Sequence, residues 1–444
     1  MSKKSVALDD KYTLESGDVY MSSVQALVRL PMMQRQRDLA AGLNTAGFIT
    51  GYRGSPIGTY DFSLWAAKKH LEANHIRFLP GVNEELAAAA IKGTQWLDRY
   101  PKRTYDGIFS LWYGKHLGVE RACEALKVGN FDGSDKHGGV LVVGADDIGG
   151  KSSVTAAESD HVFIAGMLPI LSPSNTQEYL DYGIYGWALS RFSGLWVGFK
   201  AVTDTIELTQ TADVDINRVK IITPTDFEMP PGGLNSRKGD FYPLPMERRV
   251  VDYKLPAARS FARANGLDCV IFDSERRGLG IVTTGKAYLD TREALRELGI
   301  DSARASALGI RLYKVGMVWP LDTDSARIFA RGHQEILVVE EKRPVIEEQL
   351  THALYHDPAA ERPRITGKTD DQGRPLKPAH GELSVNFAID ILARRIEALG
   401  LGDAALRERI ANIRARRANV VQLPTTNLIR TAYFCSGCPH NSST

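Results

Sequence analysis

The sequence lacks the features that would place it in several specialised protein classes. Its 444 residues contain four cysteines, too few and too scattered for the disulfide framework of a small secreted protein. No segment approaches the roughly 18 consecutive apolar residues of a membrane-spanning helix. The polar first 18 residues lack the apolar centre of a signal peptide, and a net charge of +2 gives no general attraction to nucleic acids or membranes. We therefore expect a cytoplasmic protein with no nucleic-acid or membrane partner.

The chain does contain a recurring order of apolar run, polar loop and helical pattern. Residues 139–144 are the clearest strand, apolar on both faces as parallel sheets require. A second series of strands begins near residue 279, after a Pro- and Gly-rich loop at 223–242. The pattern predicts an α/β fold in two domains, with helices on both faces of a doubly wound parallel sheet. Residues 356–381 are polar and Pro-rich, which predicts an exposed linker.

One stretch, residues 49–93, combines a glycine-rich loop with a helix start. The loop reads Gly-Tyr-Arg-Gly-Ser-Pro-Ile-Gly at 51–58, and the helix begins at Glu84 and Glu85, followed by alanines. Two carboxylates in a first turn are favourable helix charges in their own right. A glutamate beside small residues also leaves room for a flat ligand. The spacing alone does not separate these two interpretations.

Polar clusters follow several of the predicted strands, at 52–58, 146–153 and 172–178. In doubly wound folds ligands bind at the carboxyl ends of the strands, where these clusters fall. Each cluster alone is what a strand-to-helix turn needs for capping, so Asp146 and Asp147 could simply cap the next helix. Their agreement in position indicates a ligand site.

Cys435 and Cys438 form a Cys-x-x-Cys motif close to the end of the sequence. Two thiolates at this spacing are half of a metal or cluster site. His440 alone cannot complete a zinc site, and no thioredoxin-like unit precedes the motif to support a redox dithiol. We therefore expect that the chain stops before the remaining ligands.

Taken together, the motifs resemble the N-terminal part of the indolepyruvate ferredoxin oxidoreductases, which are thiamine-diphosphate-dependent 2-oxoacid:ferredoxin oxidoreductases. Tyr-Arg-Gly-Ser-Pro at 52–56 is similar to the family's Tyr-Pro-Gly-Thr-Pro, with Arg53 and Ser55 as departures. Asn83 and Glu84 resemble the segment that carries the thiamine-activating glutamate. Residues 145–160, 173–178 and 435–440 also match family motifs in order and spacing.

The resemblance implies an architecture. Residues 1–18 would be a polar tail, 19–250 the pyrimidine-binding domain, 251–380 a domain like the C-terminal domain of transketolase with a linker, 381–429 a helical connector, and 430–444 the start of a diphosphate-binding domain. The family holds Mg²⁺ and the diphosphate with a Gly-Asp-Gly motif, which does not occur in this sequence. The metal site and most cluster ligands are therefore expected to lie outside this chain.

The resemblance also implies a chemistry: oxidative decarboxylation of an aryl 2-oxoacid, indolepyruvate, with thiamine diphosphate, coenzyme A and ferredoxin. Glu84 would bond to N1′ of the aminopyrimidine, whereas Glu85 lies about 100° away around the helix and would face elsewhere. A homodimer is implied, with thiamine diphosphate between domains of two protomers. The remaining implied site residues are Ser55 for the substrate, Gly54, Asp146 and Asp147 for the cofactor, and Cys435 and Cys438 for a [4Fe–4S] cluster.

Three alternatives stay open on the sequence. The substrate could be another 2-oxoacid in the same reaction class. The chain could be a non-catalytic α/β subunit, since it lacks the metal-diphosphate motif. A transketolase-like enzyme is the third alternative, but it would need no Cys-x-x-Cys.

Overall fold

The computed structural model describes residues 6–100, 102–239, 242–420, 434 and 436–443. The described chain forms two compact units, the first comprising residues 1–148, 157–267 and 316–322 and the second residues 149–156, 268–315 and 323–444. The strands are β1 Asp18–Ser22, β2 Ala46–Gly51, β3 Ile76–Phe78, β4 Ile108–Lys115, β5 Val140–Asp146, β6 Ile170–Leu171, β7 Val197–Val202, β8 Thr209–Asp213, β9 Cys269–Phe272, β10 Leu279–Thr284, β11 Ile310–Val315, β12 Met317–Trp319, β13 Glu335–Val339 and β14 Arg364–Thr366.

Eighteen α-helices lie within the described residues. They are α1 Asp10–Thr13, α2 Ser23–Ala40, α3 Tyr60–Ala66, α4 Lys68–Ala73, α5 Glu84–Thr94, α6 His116–Arg121, α7 Cys123–Asp132, α8 Asp160–Ala165, α9 Thr176–Ser193, α10 Thr203–Ile206, α11 Pro243–Arg249, α12 Leu255–Ala264, α13 Gly285–Glu297, α14 Ser302–Leu308, α15 Thr323–Ala330, α16 Ile346–Leu354, α17 Val385–Ala398 and α18 Ala404–Ala418. Three short helices of other types are Leu97–Arg99, Val250–Lys254 and Pro439–Ser443.

The first unit is built on a seven-stranded sheet in the order β12-β6-β7-β5-β4-β2-β3. All neighbours are parallel except β12 and β6. Every residue of the central strand β5 is buried, which fits a sequence that is apolar up to its last residue, Asp146. The long helices α2 and α9 pack against each other and contribute to the same apolar core. The strands β1 and β8 pair separately as an antiparallel ribbon.

The second unit contains a five-stranded sheet in the order β14-β13-β10-β11-β9. Its strands are parallel except β9, which runs antiparallel to β11. Helices α13 and α17 pack together over this sheet's core. The predicted α/β class, with a parallel sheet in each of two units, is confirmed. Within the described residues, no helix combines the length and apolarity needed to cross a membrane.

The units divide the chain differently from the expected boundaries. The first extends to residue 267 rather than 250, because α12 places Ala258, Phe261 and Ala262 in the first core. Within the expected helical connector 381–429, α17 buries its apolar face in the second core. The expected linker 356–381 contains β14, which extends the second sheet. Within 430–444, residues 430–433, 435 and 444 lie outside the described residues.

A lysine in the second unit is buried beside another lysine. Lys377 is 3% exposed. Its neighbour Lys368 donates from Nζ to the backbone carbonyls of Glu340 and Glu341, at 3.2 and 3.3 Å. Burial, and then the charge of Lys368, lowers the pKa of Lys377 to about 7. The unfolded chain therefore binds this proton more tightly than the folded chain between about pH 7 and 10.5, and the free energy of unfolding rises with pH across that window.

We expect Lys377→Met to flatten this pH dependence, because the variant has no amine to discharge on folding. Urea unfolding at pH 7 and pH 9.5 measures the effect: the midpoint of the native protein rises more between the two pH values than that of the variant. Lys69→Met, which removes a lysine with a 70% exposed side chain, should retain the native difference. An unchanged pH dependence in Lys377→Met would contradict the assignment.

Candidate functional site

The two pieces of residues 49–93 lie side by side at the carboxyl end of β2. The backbone N–H of Gly81 donates to the carbonyl of Gly51 at 2.8 Å, and that of Leu79 donates to the carbonyl of Ile49 at 3.0 Å. On the other side of β2, Tyr52 donates its N–H to the carbonyl of Tyr113 at 3.0 Å. The glycine-rich loop and the start of α5 are therefore joined through the backbone, where parallel sheets place ligands.

Glycine is required at both ends of this connection. A Cβ atom on Gly51 would lie 2.0 Å from the carbonyl oxygen of Tyr113. A Cβ on Gly81 would lie 2.8 Å from the carbonyl oxygen of Asn83 and 2.9 Å from Cβ of Ala87. These contacts are with backbone or with a side chain that cannot rotate away. A larger residue at 51 would displace the loop from β4, and one at 81 would distort the start of α5 and lie 3.2 Å from the carbonyl oxygen of Gly51.

The start of α5 directs one of its two glutamates inward. Asn83 caps the helix, accepting a hydrogen bond on its side chain from the N–H of Leu86 at 2.8 Å. Glu84, the first helical residue, is 2% exposed. The side chain of Glu85 is 49% exposed and lies 3.9 Å from Arg121. The helix therefore separates the pair as expected, with Glu84 inside the unit.

Glu84 is enclosed by β4 and by the helix that follows it. The indole Nε1 of Trp112, on β4, donates to the backbone carbonyl of Glu84 at 3.0 Å. The carboxyl group lies against Gly118 of α6. Neither residue stood out in the sequence. Their position directly before and after the end of a predicted strand is the only signal that could have identified them.

The glycine-rich loop presents Arg53 and Ser55 at the surface. Gly54 packs on a neighbouring lysine, since a Cβ here would lie 2.9 Å from Cβ of Lys115 at the end of β4. Burial lowers the pKa of Lys115, and the nearby carboxylate of Asp147 acts in the opposite direction. Asp147 is 2% exposed. Lys115, which the sequence did not indicate, therefore packs against Gly54 and lies near Asp147, two of the predicted site residues.

Asp146 is not placed as expected for a cofactor ligand. It is fully buried, and its Oδ1 accepts from the N–H and the hydroxyl of Ser159 at 3.1 and 2.6 Å. Its Oδ2 lies 3.3 Å from Nζ of Lys200, which also donates to Asp160. Ser159 immediately precedes α8, so Asp146 ties the end of the central strand to the start of the next helix.

The charges of this buried group depend on one another. Burial raises the pKa of Asp146, and the charge of Lys200 opposes that effect. Burial would lower the pKa of Lys200, but the carboxylates of Asp160 and Asp146 outweigh it, so the pKa of Lys200 is raised. The lysine therefore stays charged between its two carboxylates.

Lys200→Met should cost about 3–5 kcal/mol of unfolding free energy, because it leaves two buried carboxylates without their cation. Urea unfolding of the whole chain measures this cost. Lys68→Met is the matched control: Lys68 pairs with Glu72 at 3.6 Å on the surface, and its loss should cost less than about 1 kcal/mol. Equal costs for the two variants would show that the buried group does not hold the strand end.

The C-terminal motif is only partly described. Cys435 lies outside the described residues, whereas Cys438 is a partly exposed free thiol. His440 is buried and stacks on Phe434, with ring centroids 5.3 Å apart. Among the residues that the structure describes, no group of three or more His, Cys, Asp or Glu side chains could hold a metal ion.

Comparison with known proteins gives matches along most of the chain. A family model for the indolepyruvate oxidoreductase domain matches residues 264–420. The indolepyruvate oxidoreductase subunit IorA of Methanothermobacter marburgensis is 23% identical over 98% of this chain and 61% of its own length. The IorA subunit of Methanothermobacter thermautotrophicus is 25% identical over 76% of this chain and 48% of its own length. The IorA subunit of Pyrococcus abyssi is 24% identical over 81% of this chain and 50% of its own length.

A solved structure shares the fold. It is the 2-oxoglutarate:ferredoxin oxidoreductase from Magnetococcus marinus with 2-oxoglutarate, coenzyme A and succinyl-CoA bound. It is 15% identical and has a TM-score of 0.58, covering 85% of this chain and 65% of that one. The chain spans about half to three-fifths of the length of the curated relatives it matches. These matches confirm the resemblance drawn from the motifs: the chain is similar to indolepyruvate oxidoreductase subunits over most of its length.

Proposed function

We propose that this chain is the part of a 2-oxoacid oxidoreductase that binds the aminopyrimidine ring of thiamine diphosphate, with Glu84 as the carboxyl group at N1′ of that ring. The observation that carries the proposal is the inward position of Glu84: it is 2% exposed, next to a neighbour on the same helix that faces solvent. A carboxyl without a function is far more favourable on the solvent side.

The residues present fit the pyrimidine half of the cofactor. A buried carboxyl at a helix start is the group that the ring nitrogen needs, and glycines at positions 51 and 81 hold the two adjoining loops together. Thiamine diphosphate supplies an electron sink for the carbanion left when a 2-oxoacid loses CO₂. In this account Glu84 holds the proton shared with N1′, and its enclosure by Trp112 and Gly118 excludes water that would weaken that hydrogen bond.

The exposed loop at 51–58 is the proposed substrate side of the site. Ser55 is assigned to the 2-oxoacid, because it is an exposed residue in the loop that the backbone joins to the start of α5. Gly54 and Asp147 are assigned to the cofactor side through their contacts with Lys115. Asp146 takes no part in binding, since it is committed to Ser159 and Lys200.

The wider reaction is also a proposal. The names of the relatives support indolepyruvate as the substrate, and the Magnetococcus enzyme, with coenzyme A in its structure, supports coenzyme A and ferredoxin as further reactants. We place Mg²⁺ and the diphosphate outside the described residues. Among the described residues, no group of three or more His, Cys, Asp or Glu side chains could hold a metal ion. Cys438 and Cys435 are proposed to bind a [4Fe–4S] cluster, with further ligands from elsewhere in the protein. We also propose that the protein is a homodimer.

Glu84→Gln should lower kcat for 2-oxoacid oxidation by about 10²–10⁴-fold, because an amide cannot exchange a proton with the ring nitrogen. The assay is steady-state reduction of a ferredoxin or viologen acceptor by the full-length protein, with a panel of 2-oxoacids.

Glu85→Gln is the matched control for this experiment. It changes the same chemical group one residue further along α5, on the solvent side, and should leave kcat within about twofold of the native value. Native activity in Glu84→Gln would show that the glutamate takes no part in the reaction. Equal losses in both variants would indicate an effect on the helix rather than on chemistry.

A further inference from the structure

Gly118 occupies an unusual position within α6. The helix is short, His116–Arg121, and glycine is a poor helix former in such an interior. The residue is buried, and its φ is negative, so its backbone conformation does not require glycine. The reason for glycine at this position is therefore to be found in what surrounds it.

What surrounds it is the end of the Glu84 side chain. A Cβ atom built on Gly118 would lie 2.5 Å from Oε1 of Glu84, 2.7 Å from its Cγ and 2.9 Å from its Cδ. Contacts between a Cβ and another heavy atom below 3.0 Å essentially do not occur. The three nearest atoms all belong to one side chain, so even a methyl group at 118 would push the carboxyl away by roughly 1 Å.

We propose that Gly118 is a positioning residue, whose missing side chain defines where the carboxyl of Glu84 rests. The backbone on the other side of Glu84 is fixed: Trp112 binds its carbonyl, and Asn83 caps its helix. The carboxyl is therefore the movable part, and residue 118 limits its position. The consequence for catalysis rests on the proposed function, whereas the contact itself does not.

A double-variant cycle measures the contact without reference to activity. Glu84→Ala removes the three atoms that a methyl group at 118 would meet. Gly118→Ala should therefore lower Tm by several degrees in the native background, and should lower it much less, or raise it, in the Glu84→Ala background. Equal shifts in the two backgrounds would overturn the proposal. If Gly118→Ala alone does not fold, recovery of folding in the double variant supports the contact, and failure to recover overturns it.

Turnover by the full-length protein tests the positioning. Gly118→Ala should lower kcat by about 10²-fold with little change in KM for the 2-oxoacid, since a misplacement of about 1 Å acts on the reacting geometry. Gly93→Ala is the control: Gly93 lies on α5 with Glu84, and a Cβ there would meet nothing within 4 Å. It should leave kcat and KM near their native values.

The outcomes separate the two ideas. Normal kcat in Gly118→Ala, in an enzyme that Glu84→Gln inactivates, would overturn the positioning role and leave the proposed function in place. An enzyme that oxidises no 2-oxoacid, but shows the expected stability cycle, would retain the contact between Gly118 and Glu84 and refute the proposed function.

Discussion

A single backbone hydrogen bond, from the N–H of Gly81 to the carbonyl of Gly51, is the constraint on which the candidate site depends. It fixes the loop after β2 beside the first turn of α5. Both glycines are needed, because a Cβ on either would meet main-chain atoms or a neighbouring methyl group within 3 Å. The Asn83 cap and the hydrogen bond from Trp112 to the Glu84 carbonyl then fix the start of the helix. The helix begins where the joined loops end, and its first residue then points into the unit while its second points out.

Each unit contains a buried group in which opposite charges pair. In the first unit Lys200 lies between Asp146 and Asp160, at the end of the central strand. In the second, the fully buried Glu335 accepts two hydrogen bonds from Arg395, at 2.7 and 2.5 Å. Such groups connect strands to helices. Removing one partner lowers the free energy of unfolding, because it leaves the other charge buried and unpaired. Asp146 shows that an acidic residue at a strand end can be paired within the fold, so acidity alone does not mark a ligand site.

The features that were predictable from the sequence were those set by local rules. A strand apolar on both faces predicted the centre of a parallel sheet, and β5 is that strand. Helix geometry predicted that Glu84 and Glu85 face different directions. The contacts of Asp146 were not predictable from the sequence, because its partners Ser159 and Lys200 lie further along the chain, outside its own strand. The extension of the first unit beyond residue 250 was not predictable for a related reason: the burial of Phe261 depends on which unit its helix packs against. Gly118 could not be found from the sequence, since its significance is the space it leaves.

The central claim is that the carboxyl of Glu84 binds N1′ of the thiamine aminopyrimidine. A structure of the full-length protein with thiamine diphosphate bound tests it most directly. The account predicts an oxygen of Glu84 within hydrogen-bonding distance of N1′, about 2.6–3.0 Å, with the carboxyl still against Gly118. An aminopyrimidine ring bound elsewhere, or bound through a different carboxyl, would contradict the account.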